Sequence, residues 1–496
     1  MFNNVKKGYT FDDLLLVPGY SEIISRKHPN ISSEITKGYK FDVPIVSSNM
    51  NTVTEKEMIK AMCDSGATAA IHRFIEPENL VFNHIKELLS LDNKYNKKFG
   101  ISIGVDQNYY NCVFELLEKS NLINGIGYII IDVAHGHHIL MKNTIKEIKK
   151  RYNIPIIGGN ICSERAALDL FEWGADSLKI GIGPGCFNKD TKVITNNGIK
   201  NIQDIEIGDK VLTHKNRYKK VLNVMNRIEN KKLININGNK CTSNHEFYVI
   251  NKKYRNNNIE TFSEWISAEK LNNDYLLIKV ENKLVEIIKS EEDFNGIVYD
   301  LEIEDDHSYN VDGIIVHNSA CTTRTTTGFG FPQLSAINNI YNILYEKFKE
   351  DRPKLIADGG IKHTGDIVKA IAAGADFVMV GGMLAGMKET PGKVITKYGE
   401  KFKIYEGMAS IDAQATFFNI EAEDIVPEGE AFEVKYKGST YKNMKKIIGS
   451  IKTGLSYAGC NNITELQEFG RNPDNWVIVS NLGYIEGTPH GISLRH

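Results

Sequence analysis

No run of roughly 18 apolar residues occurs in this sequence, so no membrane-spanning helix is expected. The first residues, MFNNVKKGYTFDD, lack the apolar core of a secretory signal. Cysteine is sparse. The seven in 496 residues, at 63, 112, 162, 186, 241, 321 and 460, are odd in number and contain no CxxC pair. That argues against a disulfide framework or a zinc site and for a reducing, cytoplasmic setting. A strong charge of either sign is also missing. The net charge of −2 gives no electrostatic case for nucleic acid or a membrane as the main partner. Hydrophobic content of 42% and charged content of 25% are ordinary for a globular protein.

What is present is alternation. Eight β-branched runs stand out: VPIVSS (43–48), ATAAIH (67–72), FGISIGV (99–105), YIIIDVA (128–134), IPIIGGN (154–160), SLKIGIG (177–183), KLIADGG (354–360) and DFVMVGG (376–382). Helical patterns such as EKEMIKAMCDSG, NTIKEIKKRY, ERAALDLFEWGA and GDIVKAIAAGA lie between them. Eight βα repeats with nearly all-apolar strands predict an α/β fold, a (β/α)8 TIM barrel. Chemistry in such barrels sits at the C-terminal ends of strands. Ser48, Met50, His72, Asp132, Asn160, Asp358, Gly359, Gly360, Gly381 and Gly382 fall there. Paired glycines after strands seven and eight suit phosphate bound on backbone N–H groups.

The stretch 186–318, 133 residues long, breaks this rhythm. It is rich in short strands and turns (TKVITNNG, GDKVLTHKN, KKLININGN, EFYVINKKY, YLLIKV, GIVYDLEI), with one helical period around SEWISAEKL, and predicts a compact all-β domain. Its basic residues between 215 and 256 read as a solvated face. The 363 residues outside it suit one large barrel. The domains are thus 1–185 and 319–496 for the barrel, with 186–318 between them.

Joined across that stretch, the flanks read GIGPG–SACTTRTTTGFGFPQLSA. This resembles the catalytic cysteine loop of the IMP dehydrogenase/GMP reductase family. The resemblance implies a cytoplasmic, homotetrameric oxidoreductase acting on a purine mononucleotide with NADPH (or NAD). Cys321 would be the nucleophile that attacks C2 of the purine, and Thr323 its proton-transfer partner. Ser48, Met50, Asp358, Gly359, Gly360, Gly381, Gly382, Tyr405, Gly407 and Met408 would line the nucleotide pocket. Asp132 would lie near the nicotinamide ribose. Carbonyls of Gly183, Gly185 and Cys321 would hold a monovalent cation such as potassium. The cofactor of this family lies across the barrel mouth, so the lack of GxGxxG after a first strand is no objection. Cys63, Cys112, Cys162 and Cys460 read as core cysteines. Residues 73–98 leave no room for the regulatory CBS pair that many IMP dehydrogenases insert there.

The insert starts with Cys186, ends with His317-Asn318 and is followed by Ser319, junctions that resemble those of a self-splicing intein of the Hint type. An ordinary surface insertion would explain neither those residues nor its place inside a catalytic loop. The resemblance implies that Cys186 makes the N-terminal thioester, Ser319 attacks it, and Asn318 cyclises to release the insert. Thr242 and His245, in TSNH, resemble the block that polarises the first bond. Asp300, His307 and His317, in VYDLEIEDDHSYNVDGIIVHN, resemble the C-terminal blocks. Too few residues lie between these blocks for a homing endonuclease.

Two family activities remain open. A dehydrogenase flap carries an Arg-Tyr pair that activates water. Residues 409–430, ASIDAQATFFNIEAEDIVPEGE, contain no arginine. Glu428 aligns with the glutamate that works with the threonine in reductases, and GFPQLSA is reductase-like. GYTFDDLLLVPGYSE and IDVAHGHH are closer to dehydrogenases. A barrel that binds purine nucleotides without turnover, or an inactive intein, are the non-enzyme alternatives.

Overall fold

A computed structural model describes residues 8–91, 94–181, 187–188, 191–206, 208–229, 233–241, 245–255, 259, 263–268, 271–292, 296–303, 308–317, 330–397, 400–406 and 431–479. The chain divides into two compact units. One holds residues 1–182, 331–406 and 433–479; the other holds 183–330, 407–432 and 480–496.

The first unit is a closed parallel barrel of eight strands. In chain order they are β1 (Ile45–Ser47), β2 (Thr68–Ile71), β3 (Gly100–Ile103), β4 (Tyr128–Asp132), β5 (Ile156–Ile161), β6 (Ser177–Ile180), β7 (Lys354–Asp358) and β8 (Phe377–Val380). Each falls inside one of the apolar runs read from sequence. Ile and Val dominate because these strands are covered on both faces, by the barrel interior and by the helices. The helices are α1 (Lys56–Asp64), α2 (Lys86–Leu89), α3 (Gln107–Lys119), α4 (Ile139–Arg151), α5 (Glu164–Trp173), α6 (Gln333–Phe348), α7 (Thr364–Ala372), α8 (Thr440–Ala458) and α9 (Ile463–Arg471). Among the described residues of 73–98, a π-helical turn, Asn79–Ile85, runs into α2. Local signals set the helix ends. Asp106 and Ser163 cap α3 and α5 with their side chains, and α5 and α8 stop at left-handed Gly174 and Gly459. An antiparallel ribbon joins Leu14–Leu16 to Trp476–Ile478.

A buried ion pair braces the barrel where α6 gives way to β7. Arg352 Nη1 and Nη2 donate to Asp376 Oδ2 and Oδ1 at 2.6 and 2.9 Å, and Leu355 N donates to Oδ2 at 2.8 Å. Burial would raise the Asp376 pKa, but the Arg352 charge and hydrogen bonds outweigh it and hold it below the usual carboxylate value.

The second unit contains the all-β insert, which leaves the barrel after β6; the chain re-enters it before α6. A nine-stranded sheet is built around the long pair Tyr218–Glu229 and Gly296–Ile303. A six-stranded sheet centres on Glu246–Asn251. Val193, Val211, Phe247, Leu277, Leu301, Tyr309 and Val316 share one buried core. The helical period expected around SEWISAEKL is not realised. Ser263–Ser267 is a strand paired with Glu246–Asn251. A five-residue run satisfies either period, and a partner strand with open hydrogen bonds decides it.

Candidate active site

The C-terminal ends of β4 to β7 bring opposite charges together. Lys179, on β6, is 3% exposed. Its Nζ lies 2.7 Å from Asp132 Oδ1 at the end of β4 and 2.7 Å from Asp358 Oδ2 at the end of β7. Asn160, on β5, donates through Nδ2 to Asp358 Oδ2 at 3.0 Å and to the Gly181 carbonyl at 2.9 Å. The Gly159–Asn160 peptide is cis. A buried lysine is tolerable only when its charge is met, and two carboxylates meet it here. Burial would lower the Lys179 pKa, but Asp132 and Asp358 raise it above the ordinary lysine value. Burial would raise that of Asp132, but the charges of Lys179 and Arg73 depress it. The result is a fixed minus–plus–minus row on the barrel mouth.

Backbone surrounds this row. Gly359 and Gly360 have φ of +101° and +76°. A Cβ at Gly359 or Gly382 would meet nothing within 4 Å, so backbone there faces open space. The Gly381 carbonyl accepts from Leu384 N and Ala385 N at 2.9 Å, which turns the chain away from the mouth. That bare backbone beside strand ends is the cradle a phosphate group needs. Ser48 follows β1 and is buried; its N–H donates to Val380 O at 2.9 Å and its carbonyl accepts from Thr54 Oγ1 at 2.6 Å. Met50 is half-buried beside it.

His72 follows β2 at 2% exposure, with Nε2 3.8 Å from Glu55 Oε1. Burial lowers its pKa despite Glu55, so the ring is neutral at pH 7. Arg73 packs its guanidinium over Phe74 at 4.3 Å. Gln333 Nε2, at the start of α6, donates to Ile180 O at 2.7 Å and Asp358 O at 3.3 Å. Gly181 has φ +149°, and a Cβ there would stand 1.8 Å from Asp358 O. No side chain fits where the insert departs.

The structure therefore brings Asp132 and Asp358 together and sets Ser48, Met50 and the paired glycines at the same end of the barrel. Lys179, Arg73 and Gln333 were not singled out from sequence. The signal for Lys179 was available: it is the one charge in SLKIGIG. Cys321, Thr323, Glu428, Gly407, Met408, Gly183 and Gly185 lie outside the described residues. Of Tyr405 the backbone is described, in the strand Glu400–Glu406. Among the four cysteines read as core, Cys460 is buried, while Cys63, Cys112 and Cys162 are half-buried because they sit at element ends or on the outer face of α3. Burial pushes the Cys63 thiol up to about 12 and Cys460 up to about 11, so both are poor nucleophiles.

In the insert, Cys186, Thr242, His307, Asn318 and Ser319 lie outside the described residues. Their neighbours are placed. Phe187 pairs with Cys241 and with Tyr299, next to Asp300. His245 is 2% exposed and meets Phe247 edge-on at 6.0 Å. Phe247 pairs with Val316, next to His317. Among the described residues no helix is long and apolar enough to cross a membrane, and no group of three His, Cys, Asp or Glu could hold a metal ion.

An eight-stranded closed parallel barrel with carboxylates and bare backbone at its mouth has the architecture of the TIM-barrel enzymes. The family model for the IMP dehydrogenase / GMP reductase domain matches residues 8–221 and 310–490, so the chain belongs to that oxidoreductase family. A shorter match, to the FMN-dependent dehydrogenase model, spans residues 217–391. The inosine-5'-monophosphate dehydrogenase of Nitrosopumilus maritimus is 28% identical over 528 residues, covering 99% of each chain. That of Aquifex aeolicus is 29% identical over 552 residues, covering 99% of this chain and 96% of its own. The GMP reductase of Leishmania donovani is 28% identical over 534 residues, covering 98% and 97%.

Proposed function

We propose that the barrel reduces GMP to IMP with release of ammonia, and that residues 186–318 first excise themselves as a mini-intein. The observation that carries the reductase reading is the absence of arginine from residues 409–430. Without an Arg-Tyr pair the flap has no group to activate water. Arg151-Tyr152 cannot stand in for it. Arg151 Nη1 donates to Asn111 at 2.7 Å and the Tyr152 hydroxyl to Glu118 at 2.6 Å, both on the outer helix α3.

The Cys321 thiolate adds to C2 of GMP. Thr323 and Glu428 pass a proton to the 2-amino group, which leaves as ammonia. A reduced nicotinamide supplies the hydride. The thiolate then departs from C2 and IMP is released. Asp358 accepts from the nucleotide ribose, Gly359, Gly360, Gly381 and Gly382 present backbone to its phosphate, and Tyr405, Gly407 and Met408 close over it. Asp132, charged and held by Lys179, suits the hydroxyls of the cofactor ribose. Carbonyls of Gly183, Gly185 and Cys321 hold a monovalent cation once the loop is joined. The working protein is a cytoplasmic homotetramer.

Splicing begins with an acyl shift from the Gly185–Cys186 amide to the Cys186 thiol, assisted by Thr242 and His245. The Ser319 hydroxyl attacks the thioester, forming an ester to Gly185 as the Cys186 thiol leaves; that ester is what the freed Ser319 amine later displaces. The Asn318 side-chain nitrogen then attacks its own carbonyl, the Asn318–Ser319 bond breaks, and the freed amine takes the peptide to Gly185. Asp300, His307 and His317 assist these transfers. Joined ends restore GIGPG–SACTTR. A second reading, IMP dehydrogenase, is favoured by the relatives of that name at equal identity. Nicotinamide absorbance decides between them. Oxidation of NADPH with GMP supports the reductase; reduction of NAD with IMP overturns it. Intact mass tests the splicing: a product shortened by residues 186–318 is expected, and a full-length product refutes it.

A further inference from the structure

The paired glycines at the barrel mouth offer a phosphate their backbone, but a countercharge is still to be assigned. A phosphate monoester carries about −1.5 to −2 at neutral pH. Backbone N–H groups answer that with dipoles alone. β7 and β8 run parallel with Asp358 opposite Met379, so Gly359-Gly360 and Gly381-Gly382 leave the sheet side by side. Three nearby cations already face carboxylates. Lys179 lies between Asp132 and Asp358. The Arg73 charge acts on Asp132. Lys362, two residues past Gly360, has its Nζ 3.1 Å from Asp12 Oδ2.

Lys437 is placed differently. Its Nζ donates to the Gly382 carbonyl at 2.9 Å, on an exposed face. The ammonium therefore borders the residue where an added Cβ would meet nothing within 4 Å. The backbone that carries it is fastened on both sides. Tyr436 N donates to Lys401 O at 2.8 Å, Lys437 N to Gly386 O at 2.8 Å, and Lys388 N to Gly438 O at 2.7 Å. Gly386 has φ +78°, and a Cβ there would stand 2.4 Å from Lys435 O, so the two segments touch through bare backbone. One residue further, the Ser439 side chain caps α8, and Glu389 Oε2 accepts from Thr440 N at 2.9 Å. With the main chain held, only the side-chain torsions of Lys437 move, and the ammonium stays within reach of the glycine pair. An ammonium has three N–H donors, and the Gly382 bond uses one.

We infer that Lys437 is the cation of the phosphate site, donating to an oxygen of the nucleotide's phosphate monoester from beside Gly382. This rests on the reading that the barrel mouth takes a purine mononucleotide. The residue makes and breaks no bond. It holds the phosphate equally in the ground state and the transition state, so it acts on KM and leaves kcat alone.

The test uses the full chain as expressed, with nicotinamide absorbance as the readout. Lys437→Met is expected to raise KM for GMP about tenfold, the scale of one charge-assisted hydrogen bond, with kcat and the KM of NADPH within about twofold. Inhibition by inorganic phosphate should weaken in step, while inhibition by guanosine, which has no phosphate, should be unchanged. Lys437→Arg should recover most of the affinity. Added salt should narrow the gap between wild type and Lys437→Met, because the contact is exposed. An unchanged KM for GMP in Lys437→Met overturns the inference. Equal weakening of guanosine and GMP does so too, since it would mark a residue that only orders the loop. If the wild type instead oxidises IMP with NAD, the same tenfold rise in KM for IMP supports the inference and brings down the reductase reading alone. A wild-type chain that turns over neither nucleotide removes the mononucleotide reading, and the inference with it.

Discussion

Replacing Lys179 by Met tests the charge row most directly. The side chain keeps most of its length and loses its charge. Asp132 and Asp358, each 2.7 Å from the lost ammonium, are left facing one another. At a separation of ~5 Å and an effective dielectric constant of ~20, two carboxylates repel by about 3 kcal/mol. Removing one partner of a buried pair costs about 3–5 kcal/mol by mutational precedent, so the two routes agree. The variant relieves the repulsion by protonating one aspartate. In the wild type the depressed Asp132 pKa contributes stability above the ordinary carboxylate value, and that contribution is lost as pH falls through the folded-state value. In the variant the sign reverses. The folded state now binds a proton more readily than the unfolded chain, so stability rises as pH is lowered from about 8 to about 5. Urea denaturation across that range is the assay. A loss of about 3 kcal/mol at neutral pH that shrinks on acidification is expected, with Lys179→Arg retaining most of the stability. Wild-type stability in Lys179→Met, with no inverted pH slope, would refute the reasoning.

Asp376→Ala strands the Arg352 guanidinium and the Leu355 N–H, and should cost about 3–5 kcal/mol in the urea midpoint of the barrel. His72 is held neutral by burial, so below its ordinary pKa of about 6.5 the unfolded chain binds the extra proton; stability should fall between pH 6.5 and 5.5, and His72→Gln should flatten that slope in a thermal-melt series. Cys321→Ala should abolish NADPH oxidation with GMP yet leave the spliced mass unchanged. Cys186→Ala with Asn318→Ala should leave a single inactive 55.8 kDa species on a mass spectrum; any mature-length product rules out these two residues as the splicing groups.

Strands buried on both faces are written as continuous apolar runs, which is why all eight barrel strands could be found in the chain before any coordinates. Their order around the barrel followed because βα repeats close in only one sense. Asp132 and Asp358 were visible as carboxylates at strand ends. Lys179 showed only as the lone charge in SLKIGIG; its pairing with them did not show, because it joins three strands far apart in sequence that only closure makes neighbours. For the same reason nothing in Leu14–Leu16 announced Trp476–Ile478 as its partner. Ser263–Ser267 misled because a short run carries too few periods to tell a strand from a helix.

Gln333 reaches across the place where the chain is interrupted, gripping the last residue of β6 and the last residue of β7 at once. Gly181, pressed against the Asp358 carbonyl, fastens the other lip of the gap. The barrel is thus closed at the point where the 133-residue stretch leaves it. The stretch that leaves after β6 therefore departs from a barrel whose eight strands are already joined edge to edge.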